Sequence, residues 1–171
     1  TPWLFNVSLG YTVGNYLALG AEYEYEDYST MKFKYPDNME MEFETDEVGY
    51  TLKGVSTYRI GAELKPIPQF ALRAGYNFSS AAFKEDAIKL FPDNSIGTDT
   101  DFSNTKDMNT YTLGVGYRGN AFYADVAFKY STYESDFYPF VNEIDHTFVT
   151  PEATKVNNNR TQVLFTLGYR F

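Results

Sequence analysis

Residues Thr161–Phe171 read TQVLFTLGYRF, and the stretch alternates from end to end. Val163, Phe165, Leu167, Tyr169 and Phe171 share one face, while Gln162, Thr166, Gly168 and Arg170 share the other, where Leu164 is the one large apolar residue. A period of two marks a β-strand, because successive side chains point to opposite sides of the backbone. The apolar face finishes on two aromatics, Tyr169 and Phe171. A strand of this kind fits either the last strand of a membrane-spanning barrel or an edge strand of a secreted β-sandwich.

Composition narrows the choice. Aromatics make up 19% of the 171 residues, with 16 tyrosines and no cysteine. So many tyrosines suit an interface between apolar and wet surroundings better than a closed core. Mean hydropathy is negative, and no apolar run approaches the roughly 18 residues of a membrane helix. Alternating strands hide their hydrophobicity from such averages, so a barrel stays open. The net charge of −9 argues against nucleic acid or an anionic lipid surface as partner. The absence of cysteine removes disulfide scaffolds and thiolate metal sites. With no signal peptide and no initiator Met, the sequence is expected to be a fragment.

Six more strands are predicted, at 3–14, 16–28, 50–64, 69–79, 109–118 and 121–133, with the closing strand at 160–171. The first puts Trp3, Phe5, Val7, Leu9, Tyr11 and Val13 on one face. Gly14-Asn15 and Gly119-Asn120 carry two-residue hairpin signals, and Lys65-Pro66-Ile67-Pro68 reads as a third tight turn, since proline cannot serve a central ladder. Residues 29–49, 80–108 and 134–159 read as long loops, and KEDAIKLF (84–91) as about two helical turns within the second. The face opposite the apolar one carries Glu22, Glu24, Glu26, Arg59, Glu63, Arg73, Arg118, Asp125, Lys129 and Arg170. Three glutamates in a row would be costly in a packed core, but they are tolerable on a face that lines water or meets arginines.

Connections alternate strictly between tight and long, as in outer-membrane barrels with short periplasmic turns and longer extracellular loops. With the tight turns at one rim, Tyr11, Phe70, Tyr117, Phe122, Tyr169 and Phe171 fall near it. Trp3, Tyr23, Tyr25, Tyr50, Tyr76, Phe78, Tyr111 and Tyr130 fall near the other, with Leu, Val and Ala between. Two aromatic levels around an aliphatic band are expected where rings lie at both lipid interfaces. The expected fold is therefore an all-β, antiparallel transmembrane barrel of the Gram-negative outer membrane, in contact with membrane lipid. Seven strands cannot close it, because the first and last run the same way and single-chain bacterial barrels have even strand numbers. A missing N-terminal half, or another chain, is expected to pair the first strand.

Several stretches carry a family resemblance: Thr1-Pro2-Trp3, LALGAEYEYEDYS, STYRIGAELKPIPQFALRAGYNFSS, TYTLGVGYR, DFYPF and the terminal LFTLGYRF. Together they resemble the C-terminal half of the FadL/TodX-type outer-membrane transport proteins, over essentially the whole sequence. The resemblance implies a fourteen-stranded barrel that takes up long-chain fatty acids or other hydrophobic compounds, with an N-terminal hatch in the lumen. The hatch, the Asn-Pro-Ala motif and the kinked strand of that family belong to its N-terminal half and have no counterpart here.

Other chemistry reads weakly. His146, beside Asp145, is the single histidine and has no serine or second histidine partner for a hydrolase dyad. Asp99, Asp101 and Ser103 have the opening spacing of a calcium loop, but Asn104 stands where Gly belongs and Thr110 where the closing Glu belongs. No enzyme activity, cofactor or metal is expected. Two functions are. One is a channel for hydrophobic small molecules, with Phe83, Ile88, Leu90, Phe91, Phe137, Tyr138, Phe140 and Phe148 as its capture surface and the charged inner set as its lumen wall. The other is a barrel that anchors or presents its loops to a protein partner. They differ in whether the loop apolars form a concave pocket or bury one another.

Overall fold

The computed structural model describes residues 2–87, 96–99, 101–144 and 147–169, without the side chains at 96–99, 143, 144 and 148. The chain is all-β. One sheet of seven strands takes the order β1 (Leu4–Val13), β2 (Leu17–Asp27), β3 (Gly54–Ile67), β4 (Phe70–Ser79), β6 (Phe102–Arg118), β7 (Phe122–Tyr138) and β10 (Thr154–Tyr169). Every neighbouring pair is antiparallel. β1 and β10 therefore run in the same direction at the two edges, and among the described residues β1 pairs with β2 alone. The tight turns at 14–16, 68–69 and 119–121 share one rim, and the long connections share the other.

Side-chain rows run straight across this sheet because the register is continuous. On one face Leu9, Ala21, Ile60, Tyr76, Tyr111, Tyr130 and Thr161 stand opposite one another; the next row holds Tyr11, Leu19, Ala62, Ala74, Leu113, Phe128 and Val163. That face is apolar and none of the described residues covers it: Val7, Leu9, Ile60, Leu113, Val163 and Phe165 are all exposed. Among the described residues the buried hydrophobic ones are Val48, Ala71, Ala81, Ala87 and Val141, too few for a second layer of described residues to have packed against the sheet. Aromatics pair along the rows, Tyr23 with Tyr58 at 5.0 Å, Tyr76 with Tyr111 at 5.2 Å and Phe70 with Tyr117 at 5.1 Å between ring centroids.

Several elements differ from the sequence expectation. The third strand starts at Gly54 rather than 50, because residues 42–51 form a helix, α1 (Glu42–Thr51), which runs from the expected loop 29–49 into the first two residues of the expected strand. Glu42 and Glu44 lie in its first turn, where the positive end of the helix dipole favours them. Tyr50 thus belongs to a helix and not to an aromatic level of the sheet. The turn expected at 65–68 narrows to 68–69, since β3 continues to Ile67. A register shift between Leu64 and Ile67 takes up Lys65-Pro66, so the missing N–H of the proline costs no ladder bond.

The last three strands extend well beyond 109–118, 121–133 and 160–171, as β6, β7 and β10, which form a ribbon above the apolar band. Segments such as SNTKD, STYESD and TKVNNN have no apolar face, and so carried no strand signal; backbone pairing holds them all the same. The loops expected at 80–108 and 134–159 shorten accordingly. They hold β5 (Ile96–Asp99), β8 (Val141–Ile144) and β9 (Thr147–Val149), which make a separate three-stranded sheet. Of the expected helical segment 84–91, residues 85–86 form a turn and 88–91 lie outside the described residues.

Candidate functional site

The face opposite the apolar one carries the charges. Register places Glu22, Glu24 and Glu26 of β2, Arg59 and Glu63 of β3, Arg73 of β4, Arg118 of β6, and Asp125 and Lys129 of β7 on it. Arg170 lies outside the described residues. Arg59 meets the glutamate row directly: its guanidinium donates to Glu22 and to Glu24, the latter at 3.1 and 3.2 Å. Arg73 donates to Glu63 at 2.6 Å and to Asp125 at 2.7 Å, and Lys65 reaches Glu63 at 2.9 Å. Glu26 accepts from the Tyr28 hydroxyl at 2.7 Å, and that hydrogen bond holds the phenol above its ordinary pKa. Lys129 and Arg118 have no ion-pair partner among the described residues.

A hollow of about 1090 Å³ opens on this face at the tight-turn rim, lined by Thr12, Ala18, Glu63, Arg73, Gly116 and Asp125 among others. One row higher, Gly10, Gly20, Gly61 and Gly75 stand directly opposite one another across four strands. The polar wall thus alternates between charged clusters and a strip without side chains. The pairing of arginines with carboxylates follows from sequence alternation; the glycine row required the register.

Of the expected capture residues, the four whose side chains are described, Phe83, Phe137, Tyr138 and Phe140, do not share one pocket. Phe83 forms a bridge with Leu52 and lines a second hollow, of about 470 Å³, at the loop end. Phe137 and Tyr138 are strand residues of β7 rather than loop residues, and the Tyr138 ring stacks on Phe102 at 4.7 Å. Phe140 is exposed, next to Val141, which is 0% exposed. Ile88, Leu90 and Phe91 lie outside the described residues, as do His146 and Asp145 and the side chains of Phe148 and Asp99. Among the described residues no group of three or more His, Cys, Asp or Glu side chains is placed to hold a metal ion.

The second hollow was not legible in the sequence, because its residues come from five separate segments. Lys53, Ala81, Phe83, Glu85, Lys106, Asp107, Asn109, Thr132, Glu134 and Asn157 line it. Folding of the loops creates it: Lys53 N–H donates to Ala82 O at 2.8 Å, Lys84 N–H to Thr51 O at 2.9 Å and Ala81 N–H to Asp107 Oδ1 at 2.7 Å. The buried Asn104 amide donates to Ala87 O at 2.6 Å and ties the same segment to β6. Lys106 Nζ lies 2.7 Å from Asp136 Oδ2, and this bond holds its ammonium above the ordinary lysine range. No helix among the described residues is long and apolar enough to cross a membrane. No protein-family model, curated protein or solved structure matches the chain.

Proposed function

We propose that this sheet is seven strands of a larger antiparallel barrel in the Gram-negative outer membrane, and that the complete protein moves hydrophobic or amphipathic small molecules inward through its lumen. The observation that carries this reading is the pair of faces. A single sheet leaves a wide apolar face uncovered and backs it with a face of ion-paired arginines and carboxylates. In water an exposed apolar patch of that extent is a liability; in lipid it is the required outer wall, with the charged face toward a wet lumen.

Parity supports the larger ring. β1 and β10 run the same way, so a further odd number of antiparallel strands completes an even total, and seven give fourteen. A second copy of this chain in the same orientation would instead place β10 beside β1 in parallel. An unpaired edge in hydrocarbon leaves backbone groups unsatisfied at several kcal/mol each, which favours the remainder of the same protein as the partner. The resemblance to the FadL/TodX-type transporters points to fatty-acid-like substrates and to no cofactor. The anchoring alternative draws on the folded loop end, where β5, β8 and β9 form their own sheet.

The test is uptake of a labelled long-chain fatty acid by cells carrying the full-length protein against cells lacking it, together with binding to the purified barrel. A difference in both is the expected result. No difference in either overturns the channel and leaves the anchoring role.

A further inference from the structure

The hollow at the loop end lies on an unexpected side. Its floor residue Asn109 is opposite Thr132 and stands in the row above Tyr76, Tyr111 and Tyr130, on the apolar face. Glu134 and Asn157 are opposite one another two residues further up that same side. The boundary is marked by two tyrosine hydroxyls, Tyr76 donating to Asn109 Oδ1 at 2.6 Å and Tyr130 to Asn159 Oδ1 at 2.8 Å. Over β6, β7 and β10 the apolar band thus ends at these phenols, and the hollow begins just beyond them, with Asn109, Thr132, Glu134 and Asn157 of its lining on the apolar side and Tyr133 between two of them on the other.

We infer that this hollow is a binding site for the saccharide headgroup of a glycolipid whose acyl chains lie on the apolar band below. The inference rests on the outward face being lipid-facing, as proposed above. Chemistry selects the headgroup. Asn109 and Asn157 offer amides, Thr132 a hydroxyl, Asp107 and Glu134 carboxylate acceptors, and Lys53 and Lys106 donors. A mixed set of neutral and charged hydrogen-bonding groups suits a ligand rich in hydroxyls, each of which both donates and accepts. The lining holds three carboxylates, Glu85, Asp107 and Glu134, against two lysines, one of them already engaged by Asp136. That excess disfavours a bare phosphate. Phe83 adds an apolar surface at the side, and a volume of about 470 Å³ falls within the range of small-molecule sites. A lipid held by its tails on the band needs no deep pocket, because its head is delivered to the hollow at high effective concentration.

The experiment uses the purified complete protein in a non-glycosidic detergent, with an uncharged glycosyl diacylglycerol, its delipidated sugar and phosphatidylethanolamine as the three probes. Glu134→Gln combined with Asn157→Ala changes two exposed side chains that have no hydrogen bond of their own to another described side chain, so the barrel stays assembled; unchanged circular dichroism checks this. The expected result is binding of the uncharged glycolipid that the double variant weakens by about tenfold, as for loss of one or two hydrogen bonds, with much weaker binding of the free sugar. Lys129→Gln, on the opposite face, leaves it unchanged. Equal affinity for the delipidated sugar overturns the lipid assignment, and preferential binding of phosphatidylethanolamine overturns the saccharide. Unchanged binding in the double variant overturns the site. Uptake and membrane fractionation of the same protein report separately on the barrel reading.

Discussion

Arg73 Nη1 meets Asp125 Oδ1 at 2.7 Å across β6, a strand to which neither residue belongs. The path is open because β6 carries Gly114 and Gly116 on that face, and the space that a Cβ at Gly116 would fill is taken by the Asp125 carboxylate and by Arg73 Nη1, 3.0 Å away. Two glycines thus let one guanidinium link β3, β4 and β7, through Glu63 on one side and Asp125 on the other. The sequence offers the charges but not this crossing.

Gly116→Ala is therefore expected to displace Asp125 and break that arm while leaving the Glu63 arm intact. Both partners are more than a third exposed, so solvent screening keeps the loss to about 0.2–1 kcal/mol. Asp125→Ala in the same background should add almost nothing, since the arm is already gone. Thermal unfolding of the complete protein, in a double-mutant cycle, checks this; fully additive losses would show that Arg73 and Asp125 do not interact through that gap.

Alternation made the seven strands and the two faces legible, because one face of each is apolar over its middle. It failed where both faces are polar. The upper parts of β6, β7 and β10, such as Ser103–Asp107 and Thr154–Asn159, show no apolar side, so only their pairing reveals them as strands. Turn chemistry succeeded at Gly14, whose φ of +53° needs glycine, and misplaced the second turn because Pro66 sits at an irregularity of β3. Register-dependent features were out of reach. Tyr123, for instance, lies over Gly168, where an added Cβ would collide with its ring.

Rim assignment has a direct consequence for labelling, and the absence of cysteine from this chain makes single-cysteine variants clean there. Asn38, at an exposed turn of the first long connection, and Asn120, in the third tight turn, lie at opposite rims. If the sheet belongs to an outer-membrane barrel as proposed, with short turns periplasmic, Asn38→Cys should react with a membrane-impermeant maleimide on intact cells and Asn120→Cys only after the outer membrane is opened. The reverse pattern, or labelling of both on intact cells, would contradict the orientation.

The Lys106–Asp136 pair gives the polar ribbon a pH limit on the alkaline side. Its hydrogen bond to Asp136 raises the Lys106 pKa in the folded state. A raised lysine pKa stabilises the fold fully below the ordinary value of about 10.4 and loses that contribution as pH climbs through the folded one. Hydrogen exchange of the ribbon amides near residues 102–107 should thus show local opening rise above that pH more steeply than the base-catalysed rate explains. In Lys106→Met that extra dependence should vanish. An identical pH profile in the variant would assign the opening to other groups.

Phe140 and Val141 are neighbours with opposite environments, and the pair separates capture of a hydrophobic molecule from integrity of the loops. Phe140 is 41% exposed, whereas Val141 is 0% exposed at the start of β8, whose partners are β5 and β9. Truncating the Phe140 ring spares the buried Val141 side chain, and it removes an apolar contact worth about 0.8 kcal/mol for each CH₂ that the ligand would bury against it. Val141→Ala instead loosens the small sheet by about 1.5–3 kcal/mol. If the loops capture a hydrophobic molecule, Phe140→Ala should lower uptake at low concentrations of labelled fatty acid by about three- to tenfold, with little change at saturation, because initial binding is weakened and passage is not. Val141→Ala should do so only near temperatures at which the loops open. If the loops instead serve a protein partner, neither variant will alter uptake, and Val141→Ala will be the more damaging to partner binding. Uptake curves against concentration for both variants, at two temperatures, distinguish the cases.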